Sequence, residues 1–193
     1  MTRRILIIDG HPDPEPERYL HALAGTYERA ARAAGHEVRT ITLSRIDFPW
    51  LRSARDFQQG DPPPAIREAQ QWLAWCDHVV LCYPLWLGDV PALLKAFLEQ
   101  LLRPGFAFAG SRGRGLPKKL LAGRSARIVV TMGMPALFYR WSYRSHSVRS
   151  LARNVLAFCG IRPVRTSVVG MVESETNRRR WLRRMEVLGR RGG

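Results

Sequence analysis

One stretch decides the fold of this chain: residues 77–97, DHVVLCYPLWLGDVPALLKAF. Residues 79–82 form an apolar run without polar alternation, which is typical of a strand buried on both faces in a parallel sheet. Pro84 has no N–H for the ladder and ends this strand. After a short loop, in which Asp89 is predicted to cap the next helix, apolar residues recur at helical spacing over residues 92–102. A buried strand, a tight loop and a helix predict an α/β fold.

The same alternation of strand and helix repeats along the chain. Strands are predicted over residues 5–8, 37–43, 79–83, 126–131 and 165–169, and helices over residues 17–34, 64–75, 92–102, 148–158 and 175–188. Such alternation predicts a three-layer, doubly wound parallel sheet of five strands, with the flavodoxin-like strand order 2-1-3-4-5. We expect residues 1–193 to form a single domain of this kind.

The net charge and the arginine content limit the classes of function that fit this chain. The chain of 193 residues has a formal net charge of +15, and arginine supplies 28 of its 31 basic residues. These arginines are not interleaved with a nucleic-acid-binding motif, so we interpret them mainly as solvated surface charge and expect no DNA partner. A nucleic-acid-binding protein remains an alternative that strongly salt-dependent binding would support.

Cysteine usage and hydropathy indicate a cytoplasmic protein. Three widely spaced cysteines suggest neither a disulfide framework nor a zinc site, and we expect no metal. Cys82 and Cys159 lie in apolar segments and are interpreted as buried structural thiols. No run is long enough to span a membrane or to serve as a signal-peptide core, so we expect no membrane insertion.

Three loops are predicted to meet at one edge of the sheet, because they follow the first, third and fourth strands. In open α/β sheets, ligands bind beyond the carboxyl ends of the strands. The first loop leads to a helix start, where backbone N–H groups favour anions, and it offers His11 and Arg18. The loop after Pro84 places large apolar side chains at the mouth of the sheet, where a flat aromatic cofactor could cover them. The fourth strand ends in residues 131–134, which offer a hydroxyl, a glycine and backbone N–H groups.

Several of these segments resemble one enzyme family. The runs Tyr83-Pro84-Leu85-Trp86 and VPALLKAF (residues 90–97) resemble the NAD(P)H:quinone oxidoreductases of the flavodoxin-like fold. That family includes quinone reductases, drug-activity-modulator reductases and the oxidoreductase subunits of potassium-efflux systems. The opening GHP (residues 10–12) and the later FCG (residues 158–160) are also similar to the family, and the similarity extends from Ile5 to about Val169.

The resemblance implies a flavin-dependent oxidoreductase that passes hydride from NAD(P)H through bound FMN, or alternatively FAD, to quinones or similar acceptors. It implies that three groups of residues bind the cofactor: His11, Glu17 and Arg18 at its phosphate or ribityl chain; Pro84, Leu85, Trp86 and Leu87 on the isoalloxazine ring, with backbone N–H groups at the polar edge of the ring; and Thr131, Met132, Gly133 and Met134 at the other edge. Tyr139 and His146 match the Tyr and His that assist hydride transfer in quinone reductases.

This sequence departs from the family pattern at three places. Where the phosphate loop of the family usually has Ser-x-Asn, this chain has Pro16-Glu17-Arg18. This difference puts a carboxylate near the expected phosphate. Where the family usually has Thr-Thr-Gly-Gly, this chain has TMGM (residues 131–134). Where the loop of the family frequently has an aromatic residue, this chain has Leu87.

The resemblance also implies partners. We expect a homodimer, with Trp50 and Trp141 as interface aromatics. A flavin-binding regulatory subunit of a potassium-efflux system, with a transporter as its partner, is the alternative function. An electron-transfer flavodoxin is disfavoured because flavodoxins are typically acidic. The basic segment 111–123 is a candidate to attract the phosphate of NADPH.

Overall fold

A computed structural model describes residues 2–110 and 117–193. Five parallel strands form one sheet in the order β2-β1-β3-β6-β7. The strands are β1 (Arg4–Asp9), β2 (Glu37–Thr42), β3 (His78–Pro84), β6 (Ser125–Thr131) and β7 (Val164–Val169). The predicted order 2-1-3-4-5 is confirmed, since β6 and β7 are the fourth and fifth strands of that prediction. Two short strands that the sequence did not indicate, β4 (Phe108–Ala109) and β5 (Lys118–Lys119), pair as an antiparallel hairpin.

Helices cover both faces of the sheet. They are α1 (Tyr19–Ala33), α2 (Ala54–Gln59), α3 (Pro64–Trp75), α4 (Ala92–Leu101), α5 (Ala136–Trp141), α6 (His146–Ser150), α7 (Ala157–Cys159) and α8 (Glu175–Arg191). A π-helical turn over Leu151–Leu156 joins α6 to α7, so the predicted fourth helix starts two residues earlier than expected. Among the described residues, no helix is both long enough and apolar enough to cross a membrane.

Successive strand residues alternate between two cores. Ile5, Ile7 and Val80 belong to the core under α1 and α8, whereas Leu6 and Leu81 belong to the core under α3 and α4. All seven residues of β3 are buried. Burial on both faces is the reason that this strand reads as a continuous apolar run. The three cysteines are free and buried, which confirms their interpretation as structural thiols.

Buried polar side chains at the end of α4 and just after it hydrogen-bond the long segment between β2 and α3. The Gln100 amide donates to the Pro49 carbonyl at 2.6 Å, and the Arg103 guanidinium donates to the carbonyls of Asp56 at 2.7 Å and Gly60 at 2.5 Å. Arg103 is 6% exposed. Phe48 of this segment is buried in the core, and the segment also contains helix α2, which the sequence did not indicate.

The start of α1 and the cap of α4 differ from the predictions. Helix α1 begins at Tyr19 because the chain before it forms a turn, closed by a hydrogen bond from the Arg18 N–H to the Glu15 carbonyl at 3.1 Å. The prediction that Asp89 caps α4 is wrong. The N-cap residue is Pro91, and the Asp89 carboxylate accepts from the Val90 N–H at 2.7 Å. A tight turn ending at Asp89 holds that residue away from the helix start. Residues 111–116 of the basic segment 111–123 lie outside the described residues.

Candidate active site

The carboxyl ends of β1, β3 and β6 bring the three predicted loops together. The Gly10 N–H donates to the Cys82 carbonyl at 2.8 Å, and the Leu85 N–H donates to the Thr131 carbonyl at 2.8 Å. A Cβ at position 10 would lie 2.8 Å from the same Cys82 oxygen, so this approach of the first loop to β3 requires glycine. The His11 ring packs edge-on against Trp86, with 6.0 Å between ring centroids.

His11 is buried and held by its own loop. The backbone N–H of His11 donates to the Asp9 carboxylate at 3.3 Å, and the ring Nδ1 accepts from the backbone N–H of Asp13 at 3.1 Å. Burial, and then the charge of neighbouring His21, lowers the pKa of His11 below its usual range. The ring is therefore neutral near pH 7, and because Nδ1 accepts a hydrogen bond, its proton resides on Nε2.

A second histidine that the sequence did not single out completes this network. His21 Nδ1 lies 2.5 Å from the Asp9 carboxylate, and its Nε2 lies 3.0 Å from the Asp13 carbonyl. Both ring nitrogens thus face acceptors. Asp9 is only 4% exposed, so His21 is the side-chain hydrogen-bond partner of a buried carboxylate. A charged residue ending an apolar strand was a sequence signal for Asp9, but the contact with His21 depends on how α1 packs.

The predicted anion-binding residues meet at the start of α1. Arg18 Nε and Nη2 lie 2.7 and 2.6 Å from one oxygen of the Asp13 carboxylate. The Glu15 N–H and the Arg18 guanidinium lower the pKa of Asp13. Glu17 is exposed. Helix α1 has no acidic residue in its first turn and no side-chain cap. The N–H groups of Tyr19 and Leu20 are therefore available to an anion, whereas the His21 N–H donates to the Arg18 carbonyl at 3.0 Å.

The loop after β3 is a tight turn that presents apolar side chains. Trp86 and Asp89 exchange two backbone hydrogen bonds of 3.0 and 2.9 Å. Leu87 and Gly88 between them have φ values of 47° and 80°, as in a type I′ turn. Leu87 is fully exposed and Trp86 is 49% exposed. A left-handed conformation costs a residue such as leucine roughly 1–2 kcal/mol. An exposed and strained apolar turn indicates a surface that binds something.

Hydrogen bonds restrict which backbone groups can reach a ligand. The Leu85 N–H is used by the Thr131 carbonyl of β6 and the Trp86 N–H by the Asp89 carbonyl, whereas those of Leu87 and Gly88 have no acceptor in the described part of the chain. Pro84 is buried at the end of β3. The polar edge of a ring would thus be met by the turn itself rather than by the residues before it.

In the loop after β6, likewise, only some of the backbone N–H groups are available to a ligand. Thr131 and Met132 are buried, and the Met132 N–H donates to the Val169 carbonyl at 2.9 Å. Gly133 is exposed, and a Cβ there would meet no atom within 4 Å. Open space above a glycine allows a ligand to approach the backbone closely. Of the predicted group, Gly133 and Met134 have N–H groups that donate to no acceptor in the described part of the chain.

The two candidate catalytic side chains lie at different depths. Tyr139 is fully buried, and its hydroxyl hydrogen-bonds the Ser147 hydroxyl at 3.0 Å. His146 is exposed beside the turn: a Cβ on Gly88 would lie 3.9 Å from His146 Cε1. The same Cβ would lie 3.7 Å from Tyr143, which was not among the predicted site residues. His146 and Tyr143 thus contact the turn, whereas Tyr139 acts on the site only through its neighbours.

A cavity of about 490 Å³ adjoins the turn, between the start of α4 and the helix that follows His146. Its lining includes Trp86, Leu87, Val90, Lys95, Ser147 and Leu151. This volume lies in the usual range for small-molecule sites. The mostly apolar walls with one lysine suit a flat organic ligand that carries polar groups at its edge.

Together, these observations fit a flavin nucleotide. The exposed Trp86–Leu87 turn offers apolar cover for a ring, Gly133 allows close approach, and the uncapped start of α1 suits a phosphate. Arg18 forms an ion pair with the Asp13 carboxylate and His21 hydrogen-bonds the Asp9 carboxylate, so neither carboxylate faces a phosphate without a partner.

Comparisons with known proteins agree with this geometry. A Haemophilus influenzae protein named as an uncharacterized NAD(P)H oxidoreductase is 27% identical over 169 residues, which are 86% of this chain and 82% of that protein. An FMN-dependent NADH:quinone oxidoreductase of Opitutus terrae is 27% identical over 160 residues, which are 74% of each chain. The solved NAD(P)H:quinone oxidoreductase from Methanothermobacter marburgensis superimposes with a TM-score of 0.83 at 19% identity, covering all of both chains.

These names confirm the resemblance inferred from the sequence. A family model described as the flavodoxin-like fold, Flavodoxin_2, matches residues 3–187. Because that match spans nearly the whole chain, this protein belongs to the Flavodoxin_2 family of flavodoxin-like proteins.

Proposed function

We propose that the protein is a flavin-dependent NAD(P)H oxidoreductase that passes hydride from NAD(P)H through bound FMN to quinones or similar acceptors. One observation carries the proposal: a strained, exposed apolar turn stands at the carboxyl edge of the sheet, between an uncapped helix start and an open glycine loop. The names of the two sequence relatives support it. A cytosolic location, where NAD(P)H is regenerated, is part of this proposal.

The turn and the glycine loop are assigned to the flavin ring. Trp86 and Leu87 supply apolar contact, and the N–H groups of Leu87, Gly88 and Gly133 reach the polar edges of the ring. When bound, the flavin supplies the hydride chemistry, accepting two electrons from NAD(P)H and passing them to the acceptor. The protein orients the ring and excludes water from one of its faces.

The phosphate end is assigned to α1 and the loop before it. The first-turn N–H groups, Arg18 and the Nε2–H of His11 are the donors, and His21 stabilises the loop through Asp9. FMN is preferred to FAD because one phosphate suffices for a single helix start, and because the relative from Opitutus terrae is named as FMN-dependent.

His146 is assigned to hold the proton that a reduced acceptor takes up, since it is exposed and adjoins the turn. Tyr139 is assigned a positioning role. Its hydroxyl holds Ser147, the residue that follows His146 at the start of α6.

The active form is proposed to be a homodimer. Large apolar side chains are exposed near the cleft, and water-exposed apolar groups of this size favour an interface. They include Trp50, Leu137, Phe138 and Trp141. Light scattering tests this, with a dimer expected and a single monomeric species contradicting it.

The proposed function is tested first by the visible absorbance of the purified protein with added FMN. We expect flavin bands that bleach when NADPH or NADH is added without oxygen and return when a quinone is added. Chromatography of the released cofactor separates FMN from FAD. Tight flavin binding with negligible quinone turnover would favour the regulatory-subunit alternative instead. A protein that binds neither FMN nor FAD refutes the proposal.

The His146→Gln variant tests the proton assignment. It should retain flavin affinity and reduction by NAD(P)H while it lowers kcat for the quinone, because proton donation contributes typically 10²–10⁴-fold. An unchanged kcat contradicts the role of His146.

A further inference from the structure

A second cavity lies at the opposite edge of the sheet, where β3, β6 and β7 begin. It measures about 340 Å³. Its polar lining includes Arg3, His78, Ser125, Arg162 and Arg165, together with Asp77 and Gly193. Three guanidinium groups thus converge on a concave site far along the strands from the candidate active site.

The sheet places one more basic side chain next to a lining residue of this cavity. Arg127 of β6 is in register with Arg165 of β7, and parallel strands point paired residues to the same face. Arg127 is 6% exposed. Its Nη1 donates to the Ser167 hydroxyl at 2.9 Å, but its Nε has no hydrogen-bond partner among the described residues. Like charges on paired positions destabilise a sheet unless something compensates them.

His78 adds a buried polar atom that no other described residue hydrogen-bonds. The side chain lines the cavity and is 2% exposed. Its Nδ1 lies 2.8 Å from the Ser125 hydroxyl, whereas its Nε2 has no hydrogen-bond partner within residues 2–110 and 117–193. Burial, followed by the charges of Arg3, Arg127 and Arg165, lowers the pKa of His78 to about 4. A buried polar atom without a partner is costly, so a ligand that satisfies it would be stabilising.

The carboxylates nearby do not neutralise this cluster. Asp77 is engaged by Arg4, whose Nη2 lies 2.7 Å from one carboxylate oxygen and whose N–H donates to the other at 3.0 Å. Arg3 donates to the Gly192 carbonyl at 3.0 Å, which is an uncharged partner. Within residues 2–110 and 117–193, no carboxylate lies within ion-pairing distance of Arg3, Arg162 or Arg165.

We propose that this cavity binds a phosphate-type oxyanion, either inorganic phosphate or the phosphate group of a small metabolite. Arginine side chains bind phosphate through paired N–H donors, and such charge-assisted hydrogen bonds are strong. Arg3, Arg162 and Arg165 supply these donors around the opening, and Ser125 supplies a hydroxyl. The bound anion compensates the charges of Arg127 and Arg165 that adjoin each other on the sheet. The cavity is larger than a phosphate ion, so it can also accept a small organic group attached to it.

The test is calorimetric titration of the full chain with inorganic phosphate, in the presence of saturating FMN so that the flavin phosphate position is filled. The variant Arg3→Gln/Arg165→Gln removes two of the lining charges. Its matched control, Arg67→Gln/Arg179→Gln, removes two exposed charges on α3 and on the amino-terminal part of α8. We expect saturable binding in the wild type and the control, and an affinity loss of about tenfold or more in the lining variant.

His78 gives a second measurement that needs no stable lining variant. In NMR spectra of the wild type, the His78 ring signal, assigned with His78→Gln, should shift as phosphate is added, and its pKa should rise from about 4 because the anion offsets the surrounding cations. The same titration with a phosphate monoester distinguishes free phosphate from a phosphorylated metabolite. Absence of saturable binding, equal losses in both double variants, or binding that leaves the His78 signal unchanged would each overturn the proposal.

Discussion

Replacing Leu87 separates the strain of the turn from the contact that we assign to its side chain. Leu87 is fully exposed and has a φ of 47°. In Leu87→Ala the side chain is lost but the strain remains, so the cofactor-free protein should be about as stable as the wild type. In Leu87→Gly the strain of roughly 1–2 kcal/mol is relieved. Greater chain entropy in the unfolded state offsets roughly 0.5–1 kcal/mol of that gain.

The net expectation is that Leu87→Gly exceeds Leu87→Ala in unfolding free energy by about 1 kcal/mol. For a chain of this size, this difference raises Tm by roughly 2–4 °C. Both variants should bind FMN at least about tenfold more weakly, because burying a leucine side chain contributes roughly 1.5–3 kcal/mol. Calorimetric melting of the cofactor-free protein and fluorescence titration with FMN measure the two effects.

Val187→Ala is the control, since Val187 is an exposed apolar residue of α8 away from the turn. It should change neither quantity. If Leu87→Gly proves less stable than Leu87→Ala, the argument from backbone strain is refuted. If both Leu87 variants keep the wild-type affinity for FMN, Leu87 does not contact the cofactor.

Three further predictions concern buried polar groups. His21→Gln removes the imidazole that hydrogen-bonds the buried Asp9 carboxylate; it should cost roughly 1–3 kcal/mol in urea unfolding and weaken FMN binding more than riboflavin binding, and equal weakening would exclude a role at the phosphate. The pKa of His78 is about 4 in the folded protein and 6.5 in the unfolded chain, so the unfolded chain binds the proton first as pH falls. The free energy of unfolding should therefore decrease by about 3 kcal/mol between pH values above 6.5 and below 4. Urea titrations should show a flatter pH dependence for His78→Gln than for the wild type. Arg103→Met leaves the carbonyls of Asp56 and Gly60 without their donor and should lower the unfolding free energy by about 3 kcal/mol, with a loss below about 1 kcal/mol contradicting the fastening role.

Much of the architecture follows from local patterns in the sequence. The continuous apolar run in β3 arises because both faces of that strand are buried, and a strand of this kind has few alternative environments. The alternation of strands and helices then predicts a doubly wound sheet. In such a sheet, the ligand site is expected at the carboxyl edge. His11, Trp86 and Gly133 were therefore found at the right edge from sequence position alone.

The depth and the partners of side chains depended on tertiary packing. Tyr139 and His146 both looked like candidate catalytic groups, but α5 packs with Tyr139 facing inward, so only His146 reaches the turn. The Asp9–His21 contact joins a strand end to the third residue of α1, and only the packing angle of that helix decides it.

The sequence by itself thus determined the sheet, its strand order and the edge at which we propose that a ligand binds, because hydrophobic periodicity and loop positions are local properties. Tertiary structure alone decided which N–H groups are free, which carboxylates are paired, and that Arg3, Arg162 and Arg165 line one cavity. Hydrogen bonds and charge compensation depend on distances between residues far apart in the chain, and no local pattern encodes those distances.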